Sequence, residues 1–207
     1  MYGELSRPQP SRLLPERWGE GAPLSTERLI LRAPRQDDGE VLTQLAGHAE
    51  VAAMATDLRH PLHREDAAAL VGRAASKEDA GWLHVVTRAA DRAVLGCCTV
   101  RPSPAKAAAE LNFWLGKPYW NKGYTTETAQ AVIDLIFESR GEVERIDACC
   151  RAMNGAARRV LQKCGFQFQS SSLTASLSLR GNVAVDWYGL DRRLWESLRH
   201  WGSLRGA

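Results

Sequence analysis

The stretch Trp120-Asn121-Lys122-Gly123-Tyr124-Thr125-Thr126-Glu127 is the segment of this chain best suited to chemistry. It lies between a strand-like run, Ala108–Leu115, and the stripe Ala129, Val132, Ile133, Ile136 and Phe137, whose spacing is that of one helical face. A helix start offers N–H groups without intrahelical acceptors and the positive end of the helix dipole, which together suit a diphosphate. Gly123 lets the main chain approach an anion with no Cβ in the way, and Lys122 adds positive charge. A glycine before a helix is as often a simple turn, so both readings stand on the segment alone. Two other phosphate loops are excluded, because the chain has neither GxxxxGKS/T nor GxGxxG.

The preceding strand offers acid–base chemistry. Alternation puts Glu110, Asn112 and Trp114 on one face and Leu111, Phe113 and Leu115 on the other. Desolvation beside a tryptophan can turn a carboxylate into a base; the plainer reading of Glu110 is a solvated or ion-paired strand residue. Asn154 precedes the stripe Ala157, Val160, Leu161 and Cys164, and serves either as a helix N-cap or as a ligand contact, or as both. Cys98 and Cys149 are possible covalent nucleophiles, against which stands their reading as small core residues.

These groups need a scaffold. Leu29, Ile30 and Leu31 read as a first strand, and Val41, Leu42, Leu45 and Ala46 as a helix opened by acidic Asp37, Asp38 and Glu40. Residues 65–76 read as a second helix, and 47–64, with His48, Met54, Asp57, Arg59, His60 and His63, as a connector that is either solvated or lines a substrate. Strands at Trp82–Arg88 and 94–101 form a hairpin turning at 89–92. A polar loop over 117–126, a helix, a strand at 144–151, a helix closed by Gly165 and closing strands at 166–171 and 182–190 follow. The order β-α-α-β-β-β-α-β-α-β-β gives an α/β fold, a mixed, mostly antiparallel sheet flanked by helices.

Residues 1–24, rich in Pro, Gly, Arg and Ser, form an extension that is loosely ordered or acts as a docking arm. Residues 25–190 form the domain, and 191–207, with Leu194, Trp195, Leu198 and Trp201 among arginines, a tail that is helical and either packs on its own domain or meets a partner. Five cysteines without CxxC spacing and scattered histidines make poor disulfide and metal frameworks, so no metal and a reducing, cytoplasmic setting are expected. No apolar run of about 18 residues is present, and the net charge of +3 neither demands nor excludes an anionic partner. No membrane and no nucleic-acid partner is expected, and the chain is a monomer or a homodimer.

The segment 119–127 resembles the pyrophosphate loop of the GNAT N-acetyltransferases, in particular the Rim-type branch that includes ribosomal-protein N-terminal acetyltransferases. Glu110-Leu111-Asn112-Phe113-Trp114-Leu115, Asn154, Lys163-Cys164-Gly165-Phe166 and the opening Thr26-Glu27-Arg28-Leu29-Ile30-Leu31-Arg32 agree with it. The resemblance implies acetyl-CoA as co-substrate, held by the main chain around Asn121, Lys122, Gly123, Tyr124, Thr125 and Thr126, with a contact from Asn154. It implies that the main chain of Trp114 and Leu115 pairs with the pantetheine arm and polarises the thioester carbonyl. It implies an amine acceptor, a protein N-terminus or a small molecule, attacked directly in a ternary complex with Glu110 as base. Asn121 and Thr125 stand where the family often has smaller residues, and Ala157 and Leu161 where it often has Ser or Tyr to reprotonate the thiolate. Tyr124, Tyr188 or water would then substitute. The same gaps fit an acyl-CoA-binding sensor that has lost its chemistry.

Overall fold

The computed structural model describes residues 23–55, 58–75, 82–103, 105–179 and 181–205; nearly all of the N-terminal extension, Asp57, position 76 and the last two residues lie outside them. Its strands are β1 (Leu24–Ser25), β2 (Leu29–Arg32), β3 (Trp82–Arg88), β4 (Val94–Pro102), β5 (Ala108–Leu115), β6 (Arg145–Arg151), β7 (Gln167–Ser176) and β8 (Gly181–Asp191). Its helices are α1 (Asp38–Ala46), α2 (Ala49–Met54), α3 (Arg64–Ala75), α4 (Tyr124–Ser139), α5 (Gly155–Lys163) and α6 (Arg192–Arg205). The eight strands form one sheet in the order β1-β2-β3-β4-β5-β6-β8-β7. Every neighbouring pair is antiparallel except β5 and β6, which α4 connects.

That parallel pair positions the site. It spans only Ala108↔Arg145, Ala109↔Ile146 and Glu110↔Asp147. Beyond the last rung β5 stays paired with β4 and β6 with β8, while the two strands no longer pair with each other. Each is kept on its own course by its outer neighbour, so a gap opens between them, floored by the rung at Glu110.

Helices cover both faces. On one, Ala129, Val132, Ile133, Ile136 and Phe137 of α4 join Leu111, Leu115, Ile146 and Leu161 in the main core, each at most 4% exposed. Each large member contributes roughly 1.5–3 kcal/mol by leaving water. On the other, Leu42 of α1 packs on Leu83, Val85 and Cys97, and Val51 of α2 packs with Ala46 and Leu58 against Trp114 and Trp120. Asp38 ties α1 to β2 through a fork of two bonds from Arg32, each 2.7 Å.

Three departures from the sequence-based expectations bear on the site. The segment 47–64 contains α2, whose six residues are too few to show a period. The helix after the loop starts at Tyr124, so Tyr124, Thr125 and Thr126 belong to its first turn. β7 runs on to Ser176 because β8 pairs with it along its whole length.

The tail folds back as α6. Arg192 donates to the carbonyls of Phe137, Arg140 and Val143 at 2.5–3.0 Å, and Trp195 Nε1 donates to Asp134 Oδ1 at 2.7 Å, its ring 5.1 Å from that of Phe137. The bond to Phe137 supplies a donor to one of the last four carbonyls of α4, and those to Arg140 and Val143 tie α6 to the turn that follows it.

His84 on β3 has a consequence for acid stability. It is 7% exposed, edge-on to Trp82 at 4.0 Å, and burial pushes its pKa down to about 4. The unfolded chain protonates this imidazole near pH 6.5, whereas the folded chain does so only near pH 4, so stability falls as pH drops through that window. The loss expected is about 3 kcal/mol. Urea melts between pH 7 and pH 4 should show His84→Leu with a flatter profile than wild type; parallel profiles would remove His84 as the cause.

Candidate active site

β5 leads through a short 3-10 turn, Lys117–Tyr119, into the loop. The register shift between β3 and β4 leaves Leu95 as an extra residue on β4, and its carbonyl accepts from Gly116 N at 2.8 Å, which fixes where the loop departs. Asn121 has φ +60 and Gly123 φ +79, both left-handed. Asparagine is among the few side chains that tolerate this region, so Asn121 meets the same backbone demand as a glycine would. The first amide of α4 to bond within the turn is that of Glu127, to the Gly123 carbonyl at 3.1 Å. The amides of Tyr124, Thr125 and Thr126 come before it and have no intrahelical acceptor.

The loop opens on a cavity of about 480 Å³. Asn121, Gly123, Thr125 and Thr126 form one wall, Phe113, Trp114 and Leu115 the end of β5, and Asn154, Ala157, Arg159 and Lys163 the side given by α5. Val51 and Met54 of α2 complete it. Of the residues expected to bind the coenzyme, Lys122 and Tyr124 do not line the cavity. The cations that do are Arg159 and Lys163, which one helical face brings together at i, i+4. That spacing, counted back from Lys163, was the available signal for Arg159.

Asn154 serves as a cap. Its Oδ1 accepts from Ala157 N at 3.0 Å, and its Nδ2 donates to the Met54 carbonyl at 3.2 Å, which ties α5 to the end of α2 across the cavity wall.

The peptide groups of β5 divide by alternation. A Cβ built on Gly96 would fall 2.2 Å from the Trp114 carbonyl oxygen, so that peptide faces β4 and only glycine fits opposite it. Leu115 and Phe113, one residue to either side, therefore turn their main-chain groups toward the gap. The Leu115 carbonyl accepts from Trp120 Nε1 at 2.7 Å. Of Trp114 and Leu115, it is Leu115 whose main chain faces the gap, while Trp114 offers its ring to the α1 and α2 side.

Glu110 is half-buried on the rung where β5 and β6 part, on the same face as Trp114. Its Oε1 accepts from Asn112 Nδ2 at 3.0 Å. Beside it on that rung, Asp147 is held by Arg145 at 2.6 Å and by Ser103 at 3.3 Å. Glu110 does not itself line the cavity; at about 3.3 Å per residue it lies roughly 13 Å along the strand from Trp114.

The covalent route finds no support. Neither Cys98 nor Cys149 lines the cavity, and burial pushes the Cys98 thiol up to about 12, away from the reactive thiolate. Of the hydroxyls considered for the departing thiol, Tyr188 is 3% exposed within the main core. The tyrosine that lines the cavity is Tyr119. Among the described residues no three His, Cys, Asp or Glu side chains gather as a metal cage, and no helix is long and apolar enough to cross a membrane.

Comparison with known proteins gives a consistent family. The acetyltransferase (GNAT) domain model matches residues 28–167. The uncharacterized N-acetyltransferase p20 of Bacillus licheniformis is 26% identical over 146 residues, 70% of this chain and 82% of that protein. Among solved structures, RimL, the ribosomal L7/L12 alpha-N-protein acetyltransferase, in complex with coenzyme A, superposes with a TM-score of 0.70 at 18% identity, covering 82% of this chain and 98% of that one. Spermidine N-acetyltransferase from Vibrio cholerae, in complex with CoA and spermine, superposes with a TM-score of 0.69 at 14% identity, covering 82% and 99%.

Proposed function

The chain belongs to the acetyltransferase (GNAT) family and is an acyl-CoA-dependent N-acetyltransferase, and from that premise we propose that it is a Rim-type enzyme acetylating the α-amine of a protein N-terminus by direct attack in a ternary complex. The observation that carries this reading is the gap between β5 and β6, floored by Glu110, which adjoins a cavity walled by the loop at Gly123 and the start of α4.

Acetyl-CoA supplies the thioester as the acyl donor. Amides from Gly123 to Thr126 hold its diphosphate, with Asn121 shaping the turn and Arg159 and Lys163 placing positive charge at the cavity wall. Main-chain N–H groups of Leu115 and Phe113 pair with the pantetheine arm and take up charge on the carbonyl oxygen. An α-amine, with a reference pKa of about 8, must lose its proton to attack. Glu110 accepts that proton through water, held in orientation by Asn112. The departing thiolate, whose conjugate acid has a pKa of about 8.5, leaves without a dedicated acid, or takes its proton from water or Tyr119.

A small-molecule amine is the second acceptor reading, favoured by the likeness to the spermidine enzyme. Purified protein mixed with acetyl-CoA and a panel of N-terminal peptides, polyamines and lysine peptides, followed by thiol release, separates the two. Turnover is expected with at least one peptide α-amine. Turnover confined to polyamines transfers the assignment to small amines, and binding without turnover across the panel leaves only a coenzyme sensor.

A further inference from the structure

The loop is braced from outside the cavity. Arg28, just before β2, donates from Nη1 to the Lys122 carbonyl at 3.0 Å and from Nε to Glu127 Oε2 at 2.7 Å, and lies over the Tyr124 ring at 4.9 Å. Glu127 Oε1 accepts from Thr26 Oγ1 at 2.5 Å and from Arg28 N at 3.0 Å. We propose that Arg28 is a positioning residue for the coenzyme: it aims the Gly123 amide at the diphosphate and neutralises Glu127, the one carboxylate in the first turn of the anion-binding helix. The proposal rests on the reading of this loop as the diphosphate site.

The geometry of the peptide unit explains the first part. The carbonyl of Lys122 and the N–H of Gly123 belong to one trans peptide and point in opposite directions. Arg28 draws the carbonyl outward, so the N–H turns toward the cavity that Gly123 lines. Charge explains the second part. Glu127 is 17% exposed, and its bonds to Thr26 and Arg28 outweigh the burial that would push its carboxyl up, so it stays ionised. An unpaired negative charge one turn from a diphosphate would repel it; paired at 2.6 Å with Arg28, the charge is spent on the outer side.

Calorimetric titration with coenzyme A, together with KM and kcat for acetyl-CoA, tests this on Arg28→Met, Glu127→Gln, the double variant and Arg28→Lys. Arg28→Met is expected to weaken binding by about tenfold or more and to raise KM equally, with kcat at saturation within about twofold of wild type. Glu127→Gln alone should bind at least as tightly as wild type. Added to Arg28→Met, it should recover most of the loss. A general loosening of the fold would lower kcat as well and would not be relieved by removing a second contact. Arg28→Lys, which keeps the charge and loses the fork, should fall between; if Arg28→Met does not fold, this variant and Glu127→Gln decide. Wild-type affinity in Arg28→Met or in Arg28→Lys, weaker binding in Glu127→Gln alone, or a loss that Glu127→Gln fails to relieve overturns the proposal. Absence of binding by the wild-type protein overturns the coenzyme reading itself.

Discussion

Gly123→Glu is expected to abolish coenzyme binding while leaving a folded protein. Three effects act together. At φ +79 any side chain pays roughly 1–2 kcal/mol for the left-handed region. A Cβ there would lie 3.3 Å from Arg28 Nη2, tight enough to displace the guanidinium that holds Lys122 and Glu127. The new carboxylate adds negative charge where the diphosphate must lie. Charge is the largest effect, so Gly123→Ala, which carries the strain and the contact alone, should weaken binding by only about tenfold. Calorimetry on both variants, with circular dichroism as the control for folding, separates these contributions. Equal losses in the two would assign the glycine to backbone conformation rather than to the anion.

Glu110→Gln should reduce kcat by roughly 100- to 10,000-fold, the usual range for loss of a general base. Acetyl-CoA affinity should stay within about twofold, because Glu110 is remote from the loop and does not line the cavity. The substitution preserves shape and the bond to Asn112, whose amide can turn to suit the new partner. Turnover in the variant should recover as pH rises, since above the pKa of the acceptor amine no base is required. An unchanged kcat at neutral pH would remove Glu110 from the mechanism and leave Asp147, its neighbour on the rung, as the group to test.

Much of the site was legible in the residues, for identifiable reasons. β5 was bounded correctly because its alternation and apolar content agree, and the stripe of α4 because it has the period of one buried face. Asn154 was read as a cap, a coenzyme contact or both; the cap half was legible because asparagine before an apolar stripe is a local signal, and the cap forms. What escaped was non-local. Nothing in the chain marks where β5 and β6 stop pairing, since that depends on competition from β4 and β8. Arg28 and Glu127 are 99 positions apart, so their bond is invisible until β2 and α4 are placed side by side. Lys122 was read as adding charge near the anion because it is adjacent in sequence; it does not line the cavity, whereas Arg159 and Lys163 of α5 do, a placement that only the fold reveals.

The central claim is that main-chain amides around Gly123 grip a diphosphate and so aim a thioester at an amine. Titrating the protein with acetyl-CoA and with S-acetylpantetheine, which carries the same thioester and arm but no diphosphate, tests it directly. The expected result is saturable heat with acetyl-CoA and affinity at least about a hundredfold lower for S-acetylpantetheine. Equal affinity for the two, or no heat with acetyl-CoA, would contradict it.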